Sequence, residues 1–120
     1  MVAAVRTAEA TSRFFSDYPQ RDPDGQRLIS MVAAARGLAV PALLSPTRGK
    51  APVALARQIA MYLMHVVLSR SLKQTGTLFG RDRTTVAHAC ALIEDLREDP
   101  RFDAALDTLE TLITEGVSHG

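Results

Sequence analysis

The chain has 120 residues, of which 47% are hydrophobic, and a formal net charge of +1. This length and composition predict one domain with its own hydrophobic core and exclude a largely disordered chain. The single cysteine, Cys90, excludes an internal disulfide framework and a zinc site built from several cysteines.

Several other classes of protein are excluded by short-range patterns. The longest apolar stretch without formal charge or proline runs from Gln58 to Ser69, which is too short for a membrane helix. Arg6 and Glu9 interrupt the N-terminal residues, which therefore lack the apolar block of a signal peptide. No glycine-rich phosphate loop is present. We therefore expect a small soluble domain in the cytoplasm that needs no cofactor or metal and does not bind membranes.

The net charge conceals an uneven distribution of charged residues along the chain. Residues 1–25 carry a net charge of −1, whereas residues 26–93 contain nine basic residues and one acid, Asp82, for a net charge of +8. Residues 94–120 carry −6. A basic segment of this kind is typical of a site for a polyanion. The alternative is a solvated surface on which acids fold back beside the bases, and composition leaves both interpretations open.

The N-terminal quarter of the chain contains the weakest structural signals. Residues 1–25 show no sustained period and end in several helix breakers, which predicts a mobile tail ahead of a domain at residues 26–116. From Gln26, apolar residues at helical spacing predict a helix that ends at Gly37. Val40 to Leu44 fit one short helical turn, and Ser45–Pro52 form a loop that contains two basic residues.

The remaining segments all have helical signals. Pro52 is suited to the first position of a helix, in which Met61 and Met64 are interpreted as packing residues. Ser71 and Gln74 fit a capping box at the start of a short helix that ends at Gly80. Asp82 is predicted to cap the next helix, and the last helix follows Pro100. The predicted buried stripes of these last two helices are Val86, Ala89, Cys90, Ile93 and Leu96, and Phe102, Ala105, Leu106, Leu109, Leu112 and Ile113. With no persuasive strand pattern, the predicted fold class is all-α, a compact helical domain.

Two of these helices match a helix-turn-helix. A short first helix, a tight turn at Gly80–Asp82 and a second helix have the expected order and lengths. The exposed face of the second helix carries small or short polar residues such as Thr84, Ala87 and Ala91, where a solvated face more often carries lysine and glutamate. Small residues let the backbone approach another surface, and threonine pairs with base edges or phosphates. The second helix is therefore a candidate DNA-reading helix.

The residues around this motif resemble a known family. The strings are Arg57–Leu63 (RQIAMYL), Ser71-Leu72, Gly76, Phe79-Gly80 and Arg81–Ala89 (RDRTTVAHA). They resemble the C-terminal DNA-binding domain of the bacterial replication initiator DnaA, over most of the chain from about Leu28 to Ile113. The resemblance implies a helical domain that reads a short asymmetric sequence, the DnaA box, in double-stranded DNA. We accordingly expect a nucleoid-associated protein that is a monomer on DNA.

The resemblance also implies a set of contact residues. It assigns base reading in the major groove and nearby phosphate contacts to Asp82, Arg83, Thr84, Thr85 and His88. It assigns the adjacent minor groove to the loop residues Arg48 and Lys50, and the DNA backbone to Arg57, Gln58, Ser71 and Lys73. The implied role is the regulation of replication initiation or of transcription without ATPase activity.

The sequence departs from the family pattern at several of these positions. The family has two glycines before the Arg-Asp pair, whereas this chain has only Gly80, which predicts a changed presentation of the reading helix. Arg83 replaces the usual histidine, and an arginine is able to bind guanine with two hydrogen bonds or to bind phosphate alone. The loop and its surroundings carry fewer basic residues than the family pattern. Gly49 and Ala51 lie near positions that are often basic, and Leu55 replaces a usual arginine.

Two further expectations concern activity and partners. The chain has no Walker A motif, so we expect it neither to hydrolyse ATP nor to melt an origin by the initiator's route. Its histidines lack carboxylate or cysteine partners at ligand spacing, which argues against an enzyme. The alternative function is a protein-interaction module of the replication machinery that has lost DNA binding.

The acids that follow the reading helix, from Glu94 to Asp99, oppose both the helix dipole and a DNA phosphate. We expect this end of the helix to point away from the duplex. Shielding of the basic face in the free protein is the alternative.

Overall fold

The computed structural model describes residues 22–117, which form six helices and no strand. The helices are α1 (Pro23–Ala35), α2 (Val40–Leu44), α3 (Ala51–Val66), α4 (Leu72–Phe79), α5 (Arg83–Leu96) and α6 (Pro100–Glu115). The predicted all-α class is confirmed. Most of the predicted N-terminal tail, residues 1–21, lies outside the described residues.

The first helix starts earlier than the sequence pattern indicated. Asp22 accepts a hydrogen bond from the Gly25 backbone N–H at 3.0 Å, and Pro23 occupies the first turn. An acidic N-cap followed by proline is a local start signal, because proline lacks the N–H that a first turn leaves unpaired. The predicted start at Gln26 is therefore wrong by three residues, and Asp22 to Gly25 belong to the helical domain.

Helix α3 is the centre of the domain. Its residues Ala56, Ile59, Ala60 and Leu63 are fully buried. Met61 and Met64 are also buried, which confirms that they are packing residues. The helix contacts α1, α2, α4 and α5, so it carries apolar side chains around most of its circumference. It thereby holds the helix-turn-helix, formed by α4 and α5, against the rest of the core.

The two C-terminal helices are less buried than predicted. Leu96 and Leu112 are 36% and 44% exposed, and Ala105 is exposed as well. Helix α6 packs mainly on α1, which covers only its narrow stripe of Leu106, Leu109 and Ile113. The predicted burial of Leu96, Ala105 and Leu112 is wrong because a sequence stripe does not reveal how much of it a neighbour covers.

None of the helices within residues 22–117 is long and apolar enough to cross a membrane.

Candidate nucleic-acid interface

Hydrogen bonds between residues close in the sequence stabilise the helix-turn-helix. Ser71 and Gln74 form the predicted capping box, in which Gln74 N–H donates to Ser71 Oγ at 2.9 Å and Ser71 N–H donates to Gln74 Oε1 at 2.8 Å. At the other end of α4, Gly80 adopts the left-handed conformation with φ 68° and ψ 32°. Arg81 N–H then donates to the Gly76 carbonyl at 2.8 Å. This bond spans five residues and closes the helix in the manner of a Schellman motif.

Gly76 lets the turn lie close to α4. The residue is buried, and a Cβ added there would collide with the carbonyl oxygen of Arg81. Because that obstacle is backbone, no side-chain rotation relieves it. The absence of a side chain at position 76 therefore sets the path by which the chain leaves α4 and enters α5.

The beginning of α5 presents an open polar face. Asp82 is the N-cap and accepts the Thr85 backbone N–H at 2.8 Å. This bond, together with one from the Thr85 hydroxyl, holds the pKa of the Asp82 carboxyl below its ordinary value. Arg83, Thr84, Thr85 and His88 are all exposed. Thr84 and His88 are four residues apart and Thr85 and His88 three, so these side chains share one helix face.

The basic loop has a defined conformation. Thr47 N–H donates to Ser45 Oγ at 3.2 Å, which forms a small turn. Gly49 has φ 76°, a value that favours glycine, and it lies two residues ahead of α3. Arg48 and Lys50 flank this glycine, and both are exposed.

A groove of about 350 Å³ joins the loop to the reading helix. Arg48 and Pro46 line it from the loop, Gln58 from α3, and Thr85 from α5. The structure thus brings together residues that lie almost 40 positions apart in the sequence. Ser71 and Lys73 are exposed but lie at the far end of α4, about 12 Å of helix from the turn, and they do not line the groove.

Arg57, a predicted contact of the DNA backbone, is buried beneath the loop. It is only 3% exposed, and its guanidinium donates from Nε to the Leu43 carbonyl at 2.8 Å, from Nη1 to Arg48 at 2.9 Å and from Nη2 to Ala42 at 3.1 Å. Each nitrogen is thus already bonded to the backbone of the loop or of α2. The α2–loop segment folds over the side chain, which nevertheless lines the groove, so the predicted contact with the DNA backbone stays a prediction.

Arg81 was not among the predicted contact residues, but it lies at the centre of the site. Its Nη1 donates to the Phe79 carbonyl at 2.7 Å and to the Ser45 carbonyl at 2.9 Å, and its Nη2 donates to the Thr47 carbonyl at 3.0 Å. The side chain therefore connects the helix-turn-helix turn to the basic loop. No signal in the sequence distinguishes it from an exposed arginine, because its partners are backbone carbonyls 34 and 36 residues away.

The two arginines leave positive charge beneath the groove. Within residues 22–117, no carboxylate forms an ion pair with Arg57 or Arg81. Burial lowers the pKa of both side chains, and the charge of Arg81 lowers that of Arg57 further. Burial is the main cause of both shifts, and only the repulsion from Arg81 on Arg57 reports the concentration of positive charge.

Acidic residues of the C-terminal segment, which follows residue 93, form ion pairs with Arg97 of the same segment. Arg97 binds Asp103 at 2.5 Å, Asp107 at 2.5 Å and Glu110 at 2.6 Å, so these acids gather on the side of α6. Burial alone would lower the pKa of Arg97, but its hydrogen bonds to Asp103, Glu110 and Tyr62 outweigh burial and raise it. In the part of the chain that the structure describes, no ion pair joins this segment to Arg48, Lys50, Lys73 or Arg83.

Two comparisons place the described fold among known sequences. Residues 26–93 match the profile of the family described as the bacterial DnaA protein helix-turn-helix. The chain is 34% identical over 87 residues to the chromosomal replication initiator protein DnaA of Deinococcus radiodurans, a match that covers 72% of this chain and 18% of that protein. It is 38% identical over 96 residues to DnaA of Bifidobacterium animalis subsp. lactis, which covers 78% of this chain and 16% of that protein.

A solved structure shares the architecture. The replication initiator DnaA bound to AMPPCP and single-stranded DNA superposes with a TM-score of 0.72 and 26% sequence identity. The match covers 95% of this chain and 38% of that chain. The present chain therefore corresponds to a minor part of each of these longer proteins.

Proposed function

The chain belongs to the family of bacterial DnaA helix-turn-helix domains, and from that premise we propose that it binds double-stranded DNA at sites resembling the DnaA box. Binding regulates replication initiation or transcription by occupying such sites, without ATP hydrolysis. The domain binds as a monomer, with α5 in the major groove and the loop at residues 45–50 in the adjacent minor groove.

The observation that carries the proposal is the shared groove between the loop and α5. Arg48 and Thr85 line the same groove, so a duplex that contacts one side chain is within reach of the other. The major groove of B-DNA is about 12 Å wide and admits an α-helix. The exposed residues at the start of α5 include short side chains, so the helix backbone is able to approach the bases closely.

Electrostatics supports a phosphate partner at this surface. The N-terminus of α5 carries the positive end of the helix dipole, which favours a phosphate. Arg57 and Arg81 add charge beneath the groove, and no carboxylate in residues 22–117 forms an ion pair with either of them. The acids of α6 cluster around Arg97 near the opposite end of α5, about 20 Å of helix from Arg83. This separation supports the expectation that the acidic end points away from the duplex.

The contact residues divide into three groups. Arg83, Thr84, Thr85 and His88, with Asp82 at the cap, read bases and touch nearby phosphates in the major groove. Arg48 and Lys50 enter the minor groove. Gln58, Ser71 and Lys73 contact the sugar–phosphate backbone. Arg57 lies beneath this surface, where its guanidinium adds positive charge.

A selection of bound sequences from a random duplex pool tests the proposal. The expected result is an enriched asymmetric box, bound more tightly than a scrambled duplex or a single strand of the same sequence. Six phosphate contacts predict a slope of about −5 for log K against log salt concentration. No enrichment, together with no binding of any duplex at low salt, would reject the proposal and favour a protein-interaction module.

The role of Arg83 is tested on the selected box. Arg83→Ala is expected to weaken binding by about 1–3 kcal/mol and to relax the preference at one base pair, because a bidentate contact to guanine is lost. Lys73→Ala is the matched control, since it removes one exposed cation that the proposal places on the backbone. It should weaken all duplexes alike and reduce the salt slope by about one. If Arg83→Ala also weakens all sequences equally, Arg83 contacts phosphate instead.

A further inference from the structure

Two arginines of the site are used internally, and their hydrogen bonds converge on one segment. Arg57 and Arg81 together donate to six backbone carbonyls, five of them between residues 42 and 48. We propose that Arg57 and Arg81 are positioning residues that hold the minor-groove loop in its DNA-binding conformation against the helix-turn-helix. This inference rests on the proposed function.

The two side chains approach the loop from different elements. Arg57 projects from α3 and binds the start of the segment, at Ala42 and Leu43, and its end, at Arg48. Arg81 leaves the turn before α5 and binds the middle, at Ser45 and Thr47. Three loop carbonyls, those of Ser45, Thr47 and Arg48, are therefore held by two rigid guanidinium groups, and the end of α2 ahead of the loop is held as well. Arg81 also ties the loop to the carbonyl of Phe79, the last residue of α4.

The arrangement suits arginine rather than lysine. One guanidinium carries five N–H donors in a fixed plane, so Arg81 is able to serve three carbonyls from two separate segments. A lysine ammonium retains the charge but is a single point on a flexible stem. The substitution of lysine therefore separates the positioning role from simple attraction of phosphate.

Holding the loop in one conformation strengthens DNA binding, because the loop is then ordered before the complex forms. A flexible loop must lose conformational freedom when it enters the minor groove, which weakens the complex. A loop that is already held presents Arg48 on the same groove as Thr85 in the free protein. Gly49, with its positive φ, completes the same conformation immediately after the held carbonyl of Arg48.

The first test uses the free protein. In Arg81→Lys, backbone order parameters for residues 46–50 should fall from about 0.85, typical of rigid backbone, to below about 0.6. Arg70→Lys is the matched control, because Arg70 also donates to a backbone carbonyl, that of Leu68 at 2.6 Å, and binds Asp22 instead of the loop. The control should leave residues 46–50 unchanged. An equally rigid loop in Arg81→Lys would overturn the proposal.

The second test is a double-mutant cycle on the selected duplex. Arg48→Ala should weaken binding about tenfold in the parent protein but less than about threefold in Arg81→Lys, because a released loop no longer places Arg48 productively. In Arg70→Lys the full tenfold effect should remain. Additive effects of Arg48→Ala and Arg81→Lys, with the parent protein binding normally, would overturn the positioning role alone.

Failure of the proposed function is distinguishable from failure of the positioning role. If the parent protein binds no duplex, the proposed function fails and the positioning role in DNA binding fails with it. Circular dichroism verifies that each variant is folded before it is used. Should Arg81→Lys fail to fold, Arg57→Lys replaces it, because it releases the Arg48 carbonyl while leaving Arg81 in place; the same loss of loop order and the same non-additivity are required.

Discussion

Replacement of Gly76 by alanine is the most direct perturbation of the helix-turn-helix geometry. The new Cβ collides with the Arg81 carbonyl oxygen, so either α4 or the turn must move. The same turn is held by the hydrogen bond from Arg81 N–H to the Gly76 carbonyl at 2.8 Å. Any displacement that relieves the collision therefore also lengthens this bond and moves the Arg81 side chain away from the loop.

The expected change in the free energy of unfolding combines opposing terms. Alanine inside a helix is more favourable than glycine by about 1 kcal/mol. Overpacking costs about 1–3 kcal/mol, and the upper end applies here because the obstructing atom is backbone. Weakening of one intramolecular hydrogen bond costs about 1 kcal/mol more. The net result is a loss of about 3 kcal/mol, which for a domain of this size lowers Tm by about 15 °C.

The assay is thermal and urea unfolding followed by circular dichroism, with DNA affinity measured below the transition. Gly37→Ala is the matched control, because Gly37 has φ 69° but nothing within 4 Å of an added Cβ. The control should cost about 1 kcal/mol from left-handed strain and leave DNA affinity unchanged. Gly76→Ala should lose both stability and affinity. A Gly76→Ala protein as stable as the parent would refute the close approach of the turn to α4.

Three further substitutions test other parts of the fold. Thr75 is fully buried and its hydroxyl has no hydrogen-bond partner among the described residues, so Thr75→Val should raise the free energy of unfolding in urea by about 1 kcal/mol; a decrease would indicate that the hydroxyl is bonded. Arg97→Gln removes the partner of three partly exposed carboxylates and should cost about 1 kcal/mol at low salt, with a smaller loss at high salt and unchanged DNA affinity; a loss insensitive to salt would contradict an electrostatic origin. Asp82 has a lowered pKa, so its capping contribution is complete above the ordinary carboxyl pKa of about 3.9 and disappears as pH falls through the lowered value. NMR should therefore show the Thr85 amide shifting at that lower pH in the parent protein but not in Asp82→Asn, and a shift in both would assign the transition to another group.

Local signals in the sequence were sufficient for most helix boundaries. The caps at Ser71 and Asp82 and the glycine at position 80 act through atoms within a few residues, so their patterns predict the helix-turn-helix correctly. Asp22 and Pro23 are equally local, but the breakers around them resembled the end of an unstructured segment. The start of α1 was predicted three residues too late because Asp22 and Pro23, which begin the helix, were interpreted as the end of the preceding segment.

Tertiary contacts account for what the sequence did not reveal within the candidate site. The resemblance placed Arg57 at the DNA backbone, but its exposure depends on how the segment at residues 42–48 folds over it, and no local pattern encodes that fold. Arg81 was overlooked for the same reason. The exposed residues of the reading helix were identified correctly because helical periodicity determines which side of α5 faces the core.

The attachment of α6 has a consequence for how the domain opens and evolves. Its stripe of Leu106, Leu109 and Ile113 rests mainly on α1, and the family profile ends at residue 93, before α6 begins. A helix held by one narrow seam and the Arg97 ion pairs separates at lower free energy than the α3–α5 core. In hydrogen exchange, α6 should lose protection first while the DNA-reading face stays intact. Mutations that accumulate on this outer helix are thereby uncoupled from the geometry that recognises a duplex.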